Sequence, residues 1–200
     1  MQQEEPIQNL TPKKIPGLKE GYMVRLVPFE SKYGINVFQW FYDPGYKLYF
    51  REFENPLTLE DCERFDQIIK QARMNVFVIE EKGTNKVMGL LTYSVIKKQS
   101  GVFKFGIMLD AQFQHKTHCI EALIILGDYM FYRLGMQKGV VEYLESDHHI
   151  RRISEKGGFL SEGPLLREAL VDGEYVDEVR YCILKSTYDE LYANYFAGVK

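Results

Sequence analysis

The side chains best suited to chemistry gather in two short stretches. All four histidines fall there, His115 and His118 in one and His148 and His149 in the other, with Cys119 and Asp147 beside them. Imidazole, thiolate and carboxylate are the donors of tetrahedral zinc-type sites. Their spacing matches no established metal motif, so the same residues also read as plain loop histidines, and no metal is expected. At mildly acid pH they would gain charge and favour an anion. A second concentration is aromatic: Phe38, Trp40, Phe41, Tyr42, Tyr46, Tyr49, Phe50 and Phe53. Such a run is more often core or an oligomer face than a ligand site. Like charges occur only in pairs, such as Lys97-Lys98 and Arg151-Arg152, which read as solvated surface.

Composition sets the frame that must hold these residues. The chain has 200 residues with 46% hydrophobic and 26% charged side chains, an ordinary globular composition. Its length suits one core rather than two. A net charge of −3 argues against wholesale nucleic-acid binding. Three scattered cysteines, Cys62, Cys119 and Cys182, form no disulfide framework and fit a reducing, cytoplasmic setting. The N-terminal residues lack a basic start and an apolar stretch, so no secretory signal is expected. Apolar runs such as 122–126 are too short to span a membrane.

Residues 1–21 are polar and Pro-punctuated and read as an arm; residues 22–200 read as one domain. Within the domain, 23–27, 75–80, 87–95, 102–109, 140–145, 159–160 with 165–171, and 178–184 carry strand patterns. Thr58 with Asp61 signals a helix start, continued by Phe65, Ile68, Ile69 and Ala72 at helical spacing. Residues 117–134 predict a long apolar helix closed by Gly135. Short helices are predicted over 150–156 and 186–196, and Asp172-Gly173 predicts a hairpin turn. The order implies an α+β fold with a mixed, mainly antiparallel sheet flanked by helices.

Several stretches stand in an order that resembles the GNAT superfamily of acyl-CoA-dependent N-acetyltransferases, over roughly residues 22–192. They are Arg25-Leu26-Val27-Pro28, Trp40 with Asp43-Pro44, Phe77-Val78-Ile79-Glu80 with Gly89, and Glu155-Lys156-Gly157-Gly158-Phe159 followed by Glu162-Gly163. Leu166-Arg167-Glu168, Asp172-Gly173-Glu174-Tyr175, Asp177 and Tyr181 complete the set. The branch most resembled acts on ribosomal-protein N-termini and similar amines. The resemblance implies central strands that splay apart, with acetyl-CoA as co-substrate and a primary amine as acceptor, on a protein or a small molecule.

That family binds the pyrophosphate of CoA with a (Q/R)-x-x-G-x-(G/A) loop, whose backbone N–H groups open a helix and point at the anion. Here the stretch is Gln114-His115-Lys116-Thr117-His118-Cys119: Gln114 is kept, Thr117 replaces the central glycine and Cys119 the small residue. Thr117 could instead cap the helix, and Lys116 could meet phosphate. With Leu109 and Asp147, these are the expected cofactor-binding residues. The family's fourth-strand Glu is Lys104 here, the Asn after the fifth strand is Asp147, and the Ser three residues on is Ile150. This leaves Glu142 or Glu145 as base, on opposite faces of a strand, and Ser154 as the hydroxyl that protonates the leaving thiolate. In the family the aromatic run walls the acceptor groove. Structural marks are kept while chemical marks are altered, so two readings stand: amine acetylation with Glu142 as base, or an inactive fold serving as a structural or protein-binding subunit. The arm and aromatic patches would then be contacts, including contacts between copies.

Overall fold

A computed structural model describes residues 17–51, 53, 55–113, 117–192 and 194–197. Most of the expected arm therefore lies outside the described residues. Strand β1 (Val24–Pro28) pairs antiparallel with β2 (Asn75–Glu81), β2 with β3 (Val87–Lys97), and β3 with β4 (Val102–Leu109). Beyond β4 lie β5 (Lys138–Leu144), β7 (Glu174–Leu184) and the edge strand β6 (Leu160–Val171). Every pairing is antiparallel except that of β4 with β5, where the chain must cross over through a helix to return in the same direction. The α+β architecture with a mainly antiparallel sheet is as expected.

Helices α1 (Gly34–Tyr42), α2 (Leu59–Glu63) and α3 (Phe65–Gln71) cover one face, α4 (His118–Asp128) and α6 (Lys185–Tyr192) the other, and α5 (His148–Lys156) packs beside β5 and β7. Strand alternation divides the core accordingly. Val76, Val78, Leu90 and Met108 face Val37, Trp40, Cys62, Phe65 and Ile69. Phe77, Ile79, Phe103 and Phe105 face Ile125, Met130, Phe131 and Tyr188.

Local signals are obeyed with two departures. Thr58 and Asp61 form a reciprocal capping box, but the helix breaks at Arg64, which lets Phe65 and Ile69 of α3 reach the core alongside Cys62. The long helix is α-helical only to Asp128; residues Tyr129–Arg133 widen into a π turn that buries Met130 and Phe131 together, before Gly135 ends it at φ +68°. Among the described residues no helix is long and apolar enough to cross a membrane.

One buried carboxylate ties the start of the domain to its central helix. Glu121 on α4 is 1% exposed. Its oxygens accept the backbone N–H groups of Tyr22, Met23 and Val24 at 2.6, 2.8 and 2.7 Å, and the Tyr195 hydroxyl at 2.7 Å. Gly21 permits this approach, since a Cβ there would lie 2.4 Å from the Glu121 carboxyl carbon. Each donor stranded without its acceptor in a dry setting costs about 1–3 kcal/mol. Glu121→Ala is therefore expected to lower unfolding stability by roughly 3 kcal/mol or more, read from the urea midpoint at constant m-value. A loss within about 0.5 kcal/mol, the range of an ordinary surface change, would contradict this.

Candidate functional site

The two central strands are paired only at Val102↔Lys138, Phe103↔Gly139 and Lys104↔Val140. Beyond that point β4 continues along β3 alone and β5 along β7 alone, so a V-shaped gap opens between residues 105–109 and 141–144. At the crotch the strands approach closely: a Cβ on Gly139 would lie 2.6 Å from the Phe103 ring. Phe105 then packs on Phe159, just past the end of α5, with ring centroids 6.0 Å apart. Phe159 touches both the main core and the smaller cluster of Tyr143, Val179 and Tyr181, so it joins the two halves across the gap.

On the face covered by α1–α3, the gap is floored by charge. Glu142 of β5 sits beside its cross-strand neighbour Arg180 of β7 and opposite Lys104 of β4. One carboxylate oxygen bonds the Lys104 ammonium; the other receives Arg180 Nε at 2.6 Å and Nη2 at 2.5 Å. Burial alone would raise the Glu142 carboxyl, but the hydrogen bonds and charges of Lys104 and Arg180 outweigh it and hold the group below its ordinary range. Lowered proton affinity runs against what a general base at neutral pH requires. Gly106, the next residue of β4 on this face, puts no side chain into the gap.

A strap crosses above. Trp40 Nε1 donates to Asp110 at 3.0 Å, and the Tyr46 hydroxyl accepts the Ala111 N–H at 2.6 Å, fixing the chain to the end of β4. The 3₁₀ segment Pro44–Phe50 leads on to Arg51, which pairs with Glu178 of β7, while Lys47 reaches Asp172 in the β6–β7 turn at 2.6 Å. Because β5 lies between β4 and β7, the strap spans the gap. Trp40, Tyr46 and Phe50 are core, whereas Tyr42, Leu48 and Tyr49 remain exposed. Although the residue as a whole is half exposed, the Tyr49 phenol is pushed up by partial burial and then by the charge of Asp147.

The opposite face carries the sequence-predicted cofactor residues. Leu109 ends β4, buried; Thr117, His118 and Cys119 open α4; and Gln114, His115 and Lys116 lie outside the described residues. Thr117 occupies the N-cap position without making a side-chain cap bond; its hydroxyl turns 3.6 Å from the Met23 sulfur, so the expected capping role is not filled. Among the described residues the first N–H groups of α4 thus have no side-chain cap, which is the condition for meeting an anion. Burial pushes the Cys119 thiol up to about 11, making it inert rather than nucleophilic. Asp147 caps α5, accepting the Ile150 N–H at 3.0 Å.

Two hydroxyls stand on this face of β5 and α5. Ser154 is buried. Tyr143 stacks on Tyr181 with ring centroids 5.5 Å apart, and its buried hydroxyl makes no well-formed hydrogen bond. Burial raises the Tyr143 phenol to about 12, partly offset by the neighbouring Ser154 hydroxyl. A polar atom left unpaired where the strands diverge fits a bound polar group. Residue types alone pointed to Ser154 and Glu142; Tyr143 and Arg180 emerged only once β5, β7 and α5 were placed side by side.

Among the described residues no three His, Cys, Asp or Glu side chains converge as a metal set. Glu145, His148 and Arg151 instead line a shallow hollow of about 550 Å³ with Tyr175 and Asp177, beyond the end of β5.

The ion pairs of Glu142 have a pH signature. A carboxyl held below its ordinary value of 4.5 contributes stability above that value and loses it as pH falls through the lowered folded value. Glu142→Gln should cost about 2 kcal/mol at neutral pH, with the difference from the parent fading below pH ~4, measured by urea unfolding across that range. A pH-independent difference would show that the carboxylate's charge is not what matters.

Comparison with known proteins matches the Acetyltransferase (GNAT) domain family to residues 24–160. The chain is 27% identical over 138 residues to the spermidine N(1)-acetyltransferase of Escherichia coli K12, covering 68% of this chain and 73% of that protein. A GCN5-related N-acetyltransferase of Brucella melitensis superposes with a TM-score of 0.74 at 28% identity, over 96% of this chain and 90% of that one. The spermidine N-acetyltransferase of Vibrio cholerae, solved with CoA and spermine, shares the fold with a TM-score of 0.71 at 23% identity, over 82% and 97%. Of these, the Escherichia coli and Vibrio cholerae proteins are spermidine acetyltransferases and the Brucella melitensis protein is a GCN5-related N-acetyltransferase; none of the three points specifically to the ribosomal-protein branch that the motifs suggested.

Proposed function

The chain belongs to the GNAT acetyltransferase family, and from that premise we propose that it transfers an acetyl group from acetyl-CoA to the primary amine of a small molecule. The observation that carries this reading is the gap itself: β4 and β5 part after Lys104 and Val140, so that residues 105–108 and 141–144 have no strand partner across it among the described residues and can receive an extended, amide-bearing chain. Acetyl-CoA supplies the activated thioester. Its pyrophosphate would meet the uncapped N-terminus of α4, with Leu109, Thr117, His118, Cys119, Asp147 and the loop residues Gln114, His115 and Lys116 around it. The strap over the other face favours a small acceptor over a protein terminus.

In the reaction the carbon–nitrogen bond forms as the carbon–sulfur bond breaks, and the departing thiolate takes a proton. Tyr143, whose phenol keeps its proton at neutral pH, is suited to donate it, with Ser154 orienting the phenol. Glu142, doubly paired, is better suited to fixing Lys104 and Arg180 than to removing the amine proton. Holding amine and thioester side by side supplies most of the acceleration.

Acetyl-CoA at millimolar concentration should raise the thermal midpoint by several degrees, roughly the shift expected when ligand far exceeds Kd. Thiol release with small amines should follow. No shift would overturn cofactor binding, and a shift without thiol release from any amine would leave a cofactor-binding protein with no transferase activity. Tyr143→Phe should lower kcat by about 10²-fold while preserving the acetyl-CoA shift, the pattern of a lost proton donor. An unchanged kcat would remove Tyr143 from the mechanism.

A further inference from the structure

The acceptor face of the gap has a sign. On it β4 presents Lys104, Gly106 and Met108; β5 presents Lys138, Val140, Glu142 and Leu144; and β7 presents Glu178, Arg180 and Cys182, as register and strand alternation require. At the crotch two cations, Lys104 and Arg180, face one carboxylate, Glu142. That carboxylate is 7% exposed and both its oxygens are occupied. The cations are not used up. Lys104 and Arg180 remain 46% and 39% exposed, and one carboxylate engages only part of an ammonium with three donors and a guanidinium with five. Among the described residues, Glu178 of this face is 4% exposed and held by Arg51, and Glu162 is held by Lys138. A polycationic acceptor needs carboxylates that are still available, and among the described residues the crotch of this face offers surplus donors instead.

Resting on the acetyl-transfer reading above, we infer that the acceptor is a small primary amine that also carries an anionic group, a carboxylate or a phosphate, which Lys104 and Arg180 bind at the base of the gap. Arg180 suits a planar or tetrahedral oxyanion through its fork of N–H donors, and Lys104 adds a point charge. Glu142 holds both cations in place, so the anion meets a preorganised pair. The acceptor class thereby departs from the polyamines that name the similar proteins.

The test is calorimetric titration of the CoA-saturated protein with L-glutamate, O-phosphoethanolamine, ethanolamine and spermidine at low and high salt, with thiol release measured on matched samples containing acetyl-CoA. At least one of the two anionic amines should bind about tenfold or more tightly than ethanolamine and spermidine, the increment of one charge-assisted hydrogen bond. Whichever of L-glutamate and O-phosphoethanolamine binds more tightly identifies the anion as carboxylate or phosphate. Lys104→Gln and Arg180→Gln should each reduce that preference. High salt should reduce it in the unaltered protein as well, a readout that needs no variant to fold. Equal or tighter binding of spermidine or ethanolamine, an unchanged preference in both folded variants, or no acceptor binding would overturn the inference. Thiol release with spermidine but not the anionic amines would keep the transferase and sink this acceptor class. Selective anionic-amine binding without thiol release from any amine would do the reverse.

Discussion

Two parallel strands that stop exchanging hydrogen bonds after three residue pairs create the space on which the rest of this molecule depends. The stop is held from both sides of the sheet. On one side Phe103 closes over Gly139, and Phe159 wedges against Phe105 while also touching the small cluster under β5. On the other side the Lys104–Glu142–Arg180 cluster spans β4, β5 and β7 and clamps the crotch without filling the gap above it. Unpaired strand edges are normally a liability in a folded protein. Here they are enclosed, with α4 and α5 on one face and the aromatic strap on the other.

The two faces divide the work. The α4 side offers an uncapped helix N-terminus and two buried hydroxyls, a setting for an anionic, amide-rich cofactor. The strap side offers a roofed space with a positively charged floor. The charged cluster fixes the geometry of the crotch, and in the acceptor reading inferred above it would also set the sign of what approaches. Glu121 plays the corresponding structural part at a distance, tying the backbone before β1 to the first turn of α4.

What could be read in the sequence was local. The Thr58–Asp61 capping box, the 102–109 strand and the Asp172-Gly173 turn rest on neighbouring residues and were found where expected. Strand β6 was legible only as two pieces, 159–160 and 165–171, because Gly163 and Pro164 lie between them. The strand tolerates them at the sheet's edge through a shift in register between Ser161 and Gly163. Lys104 and Glu142 were each picked out singly, but their pairing spans 38 positions and depends on which strands lie side by side. The Glu121 nest was invisible for the same reason, its backbone partners being 97 to 99 positions away. Tyr143 was not picked out at all, because only the packing of β5 against α5 and β7 shows that its buried hydroxyl makes no well-formed hydrogen bond among the described residues.

The gap stands open between β4 and β5 without any ligand, and we propose that acetyl-CoA fills it. Hydrogen–deuterium exchange resolved to residues 105–109 and 141–144 tests it most directly, because amides facing an open gap exchange faster than those in a paired ladder. In the free protein the gap-facing amides should exchange faster than those of β2 and β3, and acetyl-CoA should slow them selectively. Gap amides already as protected as β2 and β3, and unaltered by acetyl-CoA, would mean the strands are closed in solution.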